Sequence, residues 1–397
     1  VTAALEWLEP LRDAVPEVNL RGWHRLAGLA DSIADLASAA PPAGAPDRPR
    51  WLLALRTELA GRGYRGGPMW QTLAQFVAGF HDLDFRDATG AGHAAMIVRH
   101  APAGTAALWR QRVDGGALVG IAATERHGGS RIRQISTSAR EVGSRWLLSG
   151  EKCWVSRLAE ATALVVFFRD PHSAITAAVV DTDRPGLTRQ LTPPVGLGGW
   201  SWGALQLRDV AVDPTVDLLG GPGAGLAVFR QHFTAFRPLV GATALGAAAG
   251  VHTLVRRTLA GRHAAGVIDR VRDNALIALG RAHGELTAAL LATLHTSRLA
   301  ATGHPHADLA ARVGKAVGVD VAHRAVAELA PLIGAAGFVA GSPIAKARAD
   351  LGGLLYADGI HDALYRSAGG TLLTAYGTSG RAPDPESKGI EGIRSAA

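Results

Sequence analysis

Sulfur is nearly absent from this chain, with one cysteine, Cys153, and two methionines in 397 residues. A lone cysteine forbids an intrachain disulfide and removes any zinc site built on cysteine pairs. No apolar run is both long and unbroken enough to predict a membrane-spanning helix; the Ala/Gly-rich stretch Val240–Val251 is too short. There is no Walker motif, and no Gly-x-Gly-x-x-Gly follows a strand, which excludes a P-loop and disfavours an NAD-type Rossmann domain. The histidines lack metal spacing: His304-Pro305-His306 has no third ligand nearby, so no metal is expected. The formal net charge is +7, but the arginines behind it are scattered, which argues against nucleic acid. Glu6, Glu9 and Asp13 come early, with no basic-then-apolar pattern, so a cytoplasmic protein with no membrane partner is the expectation.

What is present is apolar and patterned. Hydrophobic residues make up 48% of the chain, and the length suits roughly two or three domains. Helical spacing predicts helices within 1–40, 51–59, 71–80, 93–100 and 105–112. From Gly116 to about Gly220, short apolar runs alternate with Gly, Pro, Asp and Ser turns, predicting strands at 117–123, 145–148, 163–169, 175–181, 203–207 and 210–212. Long helical segments return at 244–257, 272–299, 309–332 and 342–355, and antiparallel packing of these gives a bundle. The fold class is α+β. The expected divisions are a helical domain over 1–115, a β-domain over 116–222, a helical bundle over 223–376 and a flexible tail over 377–397.

The 116–156 stretch organises the rest. Thr124-Glu125-Arg126-His127-Gly128-Gly129-Ser130 is a polar, Gly-containing loop whose backbone can approach a ligand closely. Trp154 and Ser156 are two residues apart, so a regular strand puts an aromatic wall and a hydroxyl on one face. That combination suits a planar heteroaromatic cofactor better than a phosphate alone.

The loop, together with Gly150-Glu151-Lys152-Cys153-Trp154-Val155-Ser156, resembles the paired signature of the acyl-CoA dehydrogenase family. The resemblance implies an N-terminal helical domain, a middle β-barrel-like domain, a C-terminal four-helix bundle and bound FAD. It implies that Ile121, Ala123, Thr124, Gly129, Ser130, Trp154 and Ser156 line the flavin. Arg262 resembles the arginine that reaches the pyrophosphate of a neighbouring subunit's FAD, and Gly334 and Gly337 resemble the loop beside the partner's adenosine. A homodimer or homotetramer follows. In Tyr356-Ala357-Asp358-Gly359, Asp358 stands where the family's catalytic glutamate would be, with Ile360 and Asp362 on the cofactor side. Arg237 of Arg237-Pro238 resembles an arginine beside the active-site wall, at a helix start, and Phe236 cannot serve as a base. Arg126 and Arg131 replace a proline and an aspartate of the signature, adding positive charge where an acidic carrier protein or a phosphopantetheine phosphate would approach. Asp362 is four residues from Asp358 and shares its helix face if the helix has begun.

The implied activity is FAD-dependent oxidation of an acyl, or hydroxyacyl, thioester on CoA or on an acyl carrier protein. The pattern is most similar to carrier-protein-directed members of polyketide pathways. Two alternatives stay open from the residues: a flavin monooxygenase or N-hydroxylase of the same fold, and a non-catalytic protein that binds an acyl carrier.

Overall fold

Proline and glycine punctuate the amino-terminal helices. The computed structural model of this chain describes residues 2–379, apart from the side chains of 129–130 and 375–379. The predicted helical stretch 1–40 divides into α1 (Ala3–Leu8), a 3-10 turn and α2 (Leu20–Ala37), because Pro10 enters the turn and Asn19 restarts the helix by accepting the Gly22 N–H. Then come α3 (Arg48–Gly61), α4 (Pro68–His81), a 3-10 turn at Leu83–Asp87, α5 (Ala94–His100) and α6 (Ala103–Asp114).

The middle of the chain is a curled sheet of β1 (Val119–Ala122), β2 (Ser138–Val142), β3 (Arg145–Ser156), β4 (Ala163–Arg169), β5 (Ile175–Asp181), β6 (Leu187–Leu191) and β7 (Trp202–Val212). Its order is β1-β4-β2-β3-β7-β6, with β5 paired to β4. β4 and β5 are apolar at nearly every position and are buried on both faces. The two short runs predicted at 203–207 and 210–212 are one strand, bent where Asp209 adopts φ +53.

The remainder is α7 (Gly225–Ala264), α8 (Asp273–Ala301), α9 (Ala307–Leu329), a 3-10 segment at Ala330–Gly337, α10 (Pro343–Leu354) and α11 (His361–Ser379). Two expectations differ here. Pro238 does not start a helix; it lies inside the 40-residue α7, where it removes one N–H donor and the packed helix runs on. The non-periodic segment from 375 is helical as far as Ser379, and residues 380–397 of the predicted tail lie outside the described residues.

The small residues of α7 are explained by a backbone contact. A Cβ on Gly246 would stand 2.1 Å from the Phe76 carbonyl, and one on Gly79 would stand 2.0 Å from the Thr243 carbonyl. α4 and α7 therefore cross with their backbones touching, which only glycine permits at those two points. Both α7 and α8 are long and apolar enough to cross a membrane by length and composition. That corrects the expectation from run length alone, since the scattered Arg and His of α7 do not lower its hydropathy enough. Most of α7 is nevertheless core, whereas α8 leaves Leu276, Ile277 and Leu291 exposed.

Candidate active site

The α4–α7 crossing leaves a cavity of about 530 Å³ closed by the turn between α10 and α11. Asp358 lies on its wall, in a left-handed conformation at φ +56, followed by Gly359 at φ +118. A left-handed Asp before Gly is a turn, and α11 begins only at His361. Asp358 and Asp362 therefore do not share a helix face.

Two buried cations hold this turn. The Lys315 ammonium, fully buried, donates to the carbonyls of Leu354 at 2.6 Å and Gly359 at 2.9 Å, bracketing Asp358. Burial pulls its pKa down to about 8, against the opposing pull of Asp358. Arg237 is buried on α7 and reaches the Asp358 carbonyl at 3.4 Å through Nε, a long contact, with its guanidinium 5.1 Å from the centre of the Phe233 ring. Burial lowers its pKa to about 10. Asp358 and Arg237 are thus brought together, through the backbone of the first.

Other groups on the wall are polar. Arg157, buried just beyond β3, donates through Nε to Asp87 at 2.7 Å and through Nη1 to the Ser156 hydroxyl at 2.6 Å. Asp87 is in turn near Arg86 and Arg56, whose charges with that of Arg157 keep its carboxyl ionised against burial. Behind His232, which lines the cavity, lies His93: Nδ1 of His93 and Nε2 of His232 are 3.0 Å apart. Burial, then the nearby Arg157, His232 and Arg86, holds His93 well below its ordinary value. Burial also pushes His232 down to about 3, so both rings are neutral near pH 7.

The loop-and-strand motif is tied together by a buried ion pair. Glu125, with its side chain 4% exposed, accepts from the Lys152 ammonium at 2.8 Å, from both N–H and hydroxyl of Ser136, and from both N–H and hydroxyl of Thr137. Burial alone would raise its pKa; the five hydrogen bonds outweigh that and hold the carboxyl well below 4.5. On Lys152 burial wins instead and lowers the pKa to about 8. Cys153 N–H donates to the Thr124 carbonyl, and Lys152 reaches the Ala123 carbonyl at 3.5 Å, which binds the loop to β3. Ile121, on β1, and Ala123 and Thr124, just beyond it, are half-buried along this seam. Gly129 is in a 3-10 segment at Gly129–Gln134 with Ser130, and the side chain of Ser130 lies outside the described residues.

β3 is not the regular strand expected around Trp154. A bulge lies between Lys152 and Val155, and Trp154 adopts φ +61. The extra residue swings the indole out to 54% exposure, where it stacks on Trp202 with ring centres 5.1 Å apart. Ser156 is half-buried and its hydroxyl accepts from Arg157. Of the two added arginines, Arg126 is paired with Glu151 at 2.8 Å and Arg131 is exposed. Positive charge at the loop is therefore smaller than the sequence implies.

A second group assembles at the far end of α7. Arg262 donates to the Ile333 carbonyl at 3.1 Å, immediately before Gly334, which bends the chain at φ +69. A Cβ on Gly337 would come within 2.8 Å of the Ala330 carbonyl. Phe338 and Val339 follow, exposed at 85% and 59%. Ile360 and Asp362 sit either side of the α11 start, where His361 binds Asp320 at 2.8 Å.

Sequence reasoning missed Arg157, Asp87, His93, His232, Lys315 and the Glu125–Lys152 pair. Arg157 directly follows the Trp-x-Ser run and was within reach of that motif. The others come together from separate elements and carry no local signal. The only trio of close carboxylates among the described residues, Asp82, Asp84 and Asp350, is bound by Lys346 and Arg48.

Comparison with known proteins adds the following. The family model described as acyl-CoA dehydrogenase, middle domain, matches residues 120–210, and that described as acyl-CoA dehydrogenase, C-terminal domain, matches residues 223–365. Over 143 residues, 34% of this chain, the sequence is 33% identical to the probable acyl-CoA dehydrogenase YngJ of Bacillus subtilis, covering 37% of that protein. Over 151 residues, 37% of this chain, it is 33% identical to the mitochondrial short-chain specific acyl-CoA dehydrogenase of Rattus norvegicus, covering 36% of it. These alignments thus span little more than a third of either relative. The fold is similar to that of a glutaryl-CoA dehydrogenase from Mycobacterium smegmatis in complex with FADH2, with a TM-score of 0.77 at 20% identity over 94% of this chain and 99% of the other. It is also similar to the prolyl acyl carrier protein oxidase AnaB, with a TM-score of 0.74 at 17% identity over 89% and 99% of the two chains.

Proposed function

Because this chain belongs to the acyl-CoA dehydrogenase family, we propose that it is an FAD-dependent oxidoreductase acting on an acyl thioester carried by CoA or by an acyl carrier protein. The observation that carries this reading is Asp358: a carboxylate residue on the cavity wall, in a turn fixed by Lys315 and Arg237. The donor set also fits the cofactor. An exposed Trp154 stacked on Trp202 offers a planar face, and Arg262 beside the Gly334–Gly337 bend offers a phosphate-binding fork. When bound, FAD supplies the hydride acceptor.

The chain's own residues then have separable tasks. Asp358 takes the proton from the carbon next to the thioester carbonyl, and its backbone N–H faces the developing enolate oxygen. Lys315 and Arg237 keep the turn from moving as that proton is transferred. Arg157 bridges the Ser156 hydroxyl to Asp87, coupling the strand end expected beside the flavin to the cavity wall.

The same reading extends to partners. The exposed apolar residues of α8 and of the Phe338–Val339 bend suit a homodimer or homotetramer in which the far end of α7 meets a second copy. The fold likeness to AnaB, a prolyl acyl carrier protein oxidase, and the exposed Arg131 favour a carrier-bound substrate. The test is spectroscopic. The purified protein is expected to be yellow, and an accepted thioester to bleach it anaerobically. Asp358→Asn, still flavin-loaded, abolishes bleaching, whereas Asp362→Asn leaves it. Full bleaching by Asp358→Asn removes Asp358 from the mechanism.

A further inference from the structure

The cavity carries polar groups that a plain hydrocarbon chain would leave unpaired. Phe236, Leu239 and Val240 supply apolar surface, but Gln75, Arg157 and His232 line it too. Methylene groups packed against these would strip water from polar atoms and give nothing back. Arg157 is spent on Asp87, and Arg86 and the exposed Arg99 border the cavity as well. A second carboxylate on the substrate would meet Asp87 and Asp358 as well as these arginines. The wall is therefore made to meet a polar group.

The histidine pair identifies which. One nitrogen of each ring is used in the His93–His232 contact. Among the described residues Nδ1 of His232 has no hydrogen-bond partner, and His232 borders the cavity. Its ring cannot turn freely: it is stacked on Phe236 at 5.0 Å and edged by Phe233 at 5.2 Å, while His93 packs on Phe236 at 4.7 Å. Two neutral imidazoles in series can offer the cavity either a donor or an acceptor by exchanging tautomers. A hydroxyl, itself donor and acceptor, matches both states.

We propose that His232, backed by His93, is the hydrogen-bonding partner of a hydroxyl on the acyl chain, so that the substrate is a hydroxyacyl thioester. This rests on the reading of the cavity as the acyl site. His232 is then a specificity-determining residue, and its aromatic box fixes it in advance of binding. A site built to bond a hydroxyl discriminates strongly against the analogue lacking it, because its own polar atom is left unpaired.

Calorimetric titration of the FAD-loaded full chain, with its flavin reduced beforehand so that no turnover accompanies binding, tests this. The probes are pantetheine thioesters of butyric, 2-hydroxybutyric, 3-hydroxybutyric and succinic acids. At least one hydroxyacyl thioester is expected to bind about tenfold or more tighter than butyryl. His232→Phe brings the two within about twofold, and His93→Phe, which removes the backing ring nitrogen, narrows the gap. Butyryl or succinyl binding as tightly as both hydroxyacyl thioesters to the wild type overturns the proposal, with no variant needed. A retained hydroxyl preference in His232→Phe overturns the role of that residue. Failure of the flavin reading shows separately, as protein that takes up no FAD.

Discussion

Glu125→Gln perturbs the point where the loop and strand are joined, and its cost can be worked from the contacts. The carboxylate accepts five hydrogen bonds: two from backbone N–H groups, two from hydroxyls and one from Lys152. A glutamine replaces one acceptor oxygen with an amino group. The Ser136 and Thr137 hydroxyls can turn and accept from it, but a backbone N–H cannot, so at least one N–H, that of the exposed Ser136 or of the buried Thr137, is orphaned. Lys152, fully buried, loses its counter-charge and gives up its proton near neutral pH, its pKa already at about 8 with the partner present. Breaking a buried pair from one side costs about 3–5 kcal/mol, and the orphaned N–H lies within that figure. At about 1.4 kcal/mol per tenfold, the opening equilibrium of the 124–137 segment rises by roughly two to three and a half orders of magnitude. Hydrogen exchange at the Ser136 and Thr137 amides reads this directly. The pair Glu125→Gln with Lys152→Met, which leaves no buried charge, recovers about 1–3 kcal/mol relative to the sum of the single changes. Acid dependence changes as well. A carboxyl held below 4.5 contributes stability that is present above that pH and lost as pH falls below it, and the glutamine variant lacks that slope. Exchange within threefold of wild type, or strict additivity in the double variant, refutes the argument.

Three other outcomes are expected. Lys315→Met, which frees the Asp358 turn, slows anaerobic bleaching by about tenfold to a hundredfold while flavin content is unchanged; an unaltered rate shows that the turn holds itself. Arg262→Ala releases the Ile333–Gly334 bend and speeds FAD loss on dialysis, and equal retention removes Arg262 from the cofactor site. The His232 pKa is lower in the fold than the ordinary 6.5, so the unfolded chain binds more protons below that value and stability falls with pH. At about 1.4 kcal/mol per unit this is roughly 2 kcal/mol between pH 6.5 and 5, seen as a falling urea midpoint whose slope His232→Phe reduces, the remainder coming from His93.

The sequence alone determined what depends on near neighbours. Strands β4 and β5 follow from nearly unbroken apolar runs, rich in β-branched and aromatic residues and bounded by turn residues. The helix–sheet–helix order follows from a change of apolar period at Gly116 and again near Gly225. The family could be named because the Thr124–Ser130 loop and the Trp154–Ser156 strand end are contiguous motifs, and Asp358 stands out beside Gly359. Only the tertiary structure decided which groups meet. Pro238 reads as a helix start by local rules, yet α4 and α9 pack around α7 and carry the helix through it. Trp154 and Ser156 read as a regular strand pair, yet the register of β3 on β7 admits one residue too many and turns the indole outward. The cavity's polarity depends on Arg157 from just beyond β3 and on His232 from α7, with His93 from α5's start behind it. Burial and mutual charge set the protonation of such a group. These depend on atoms far apart in sequence, and no spacing rule encodes them.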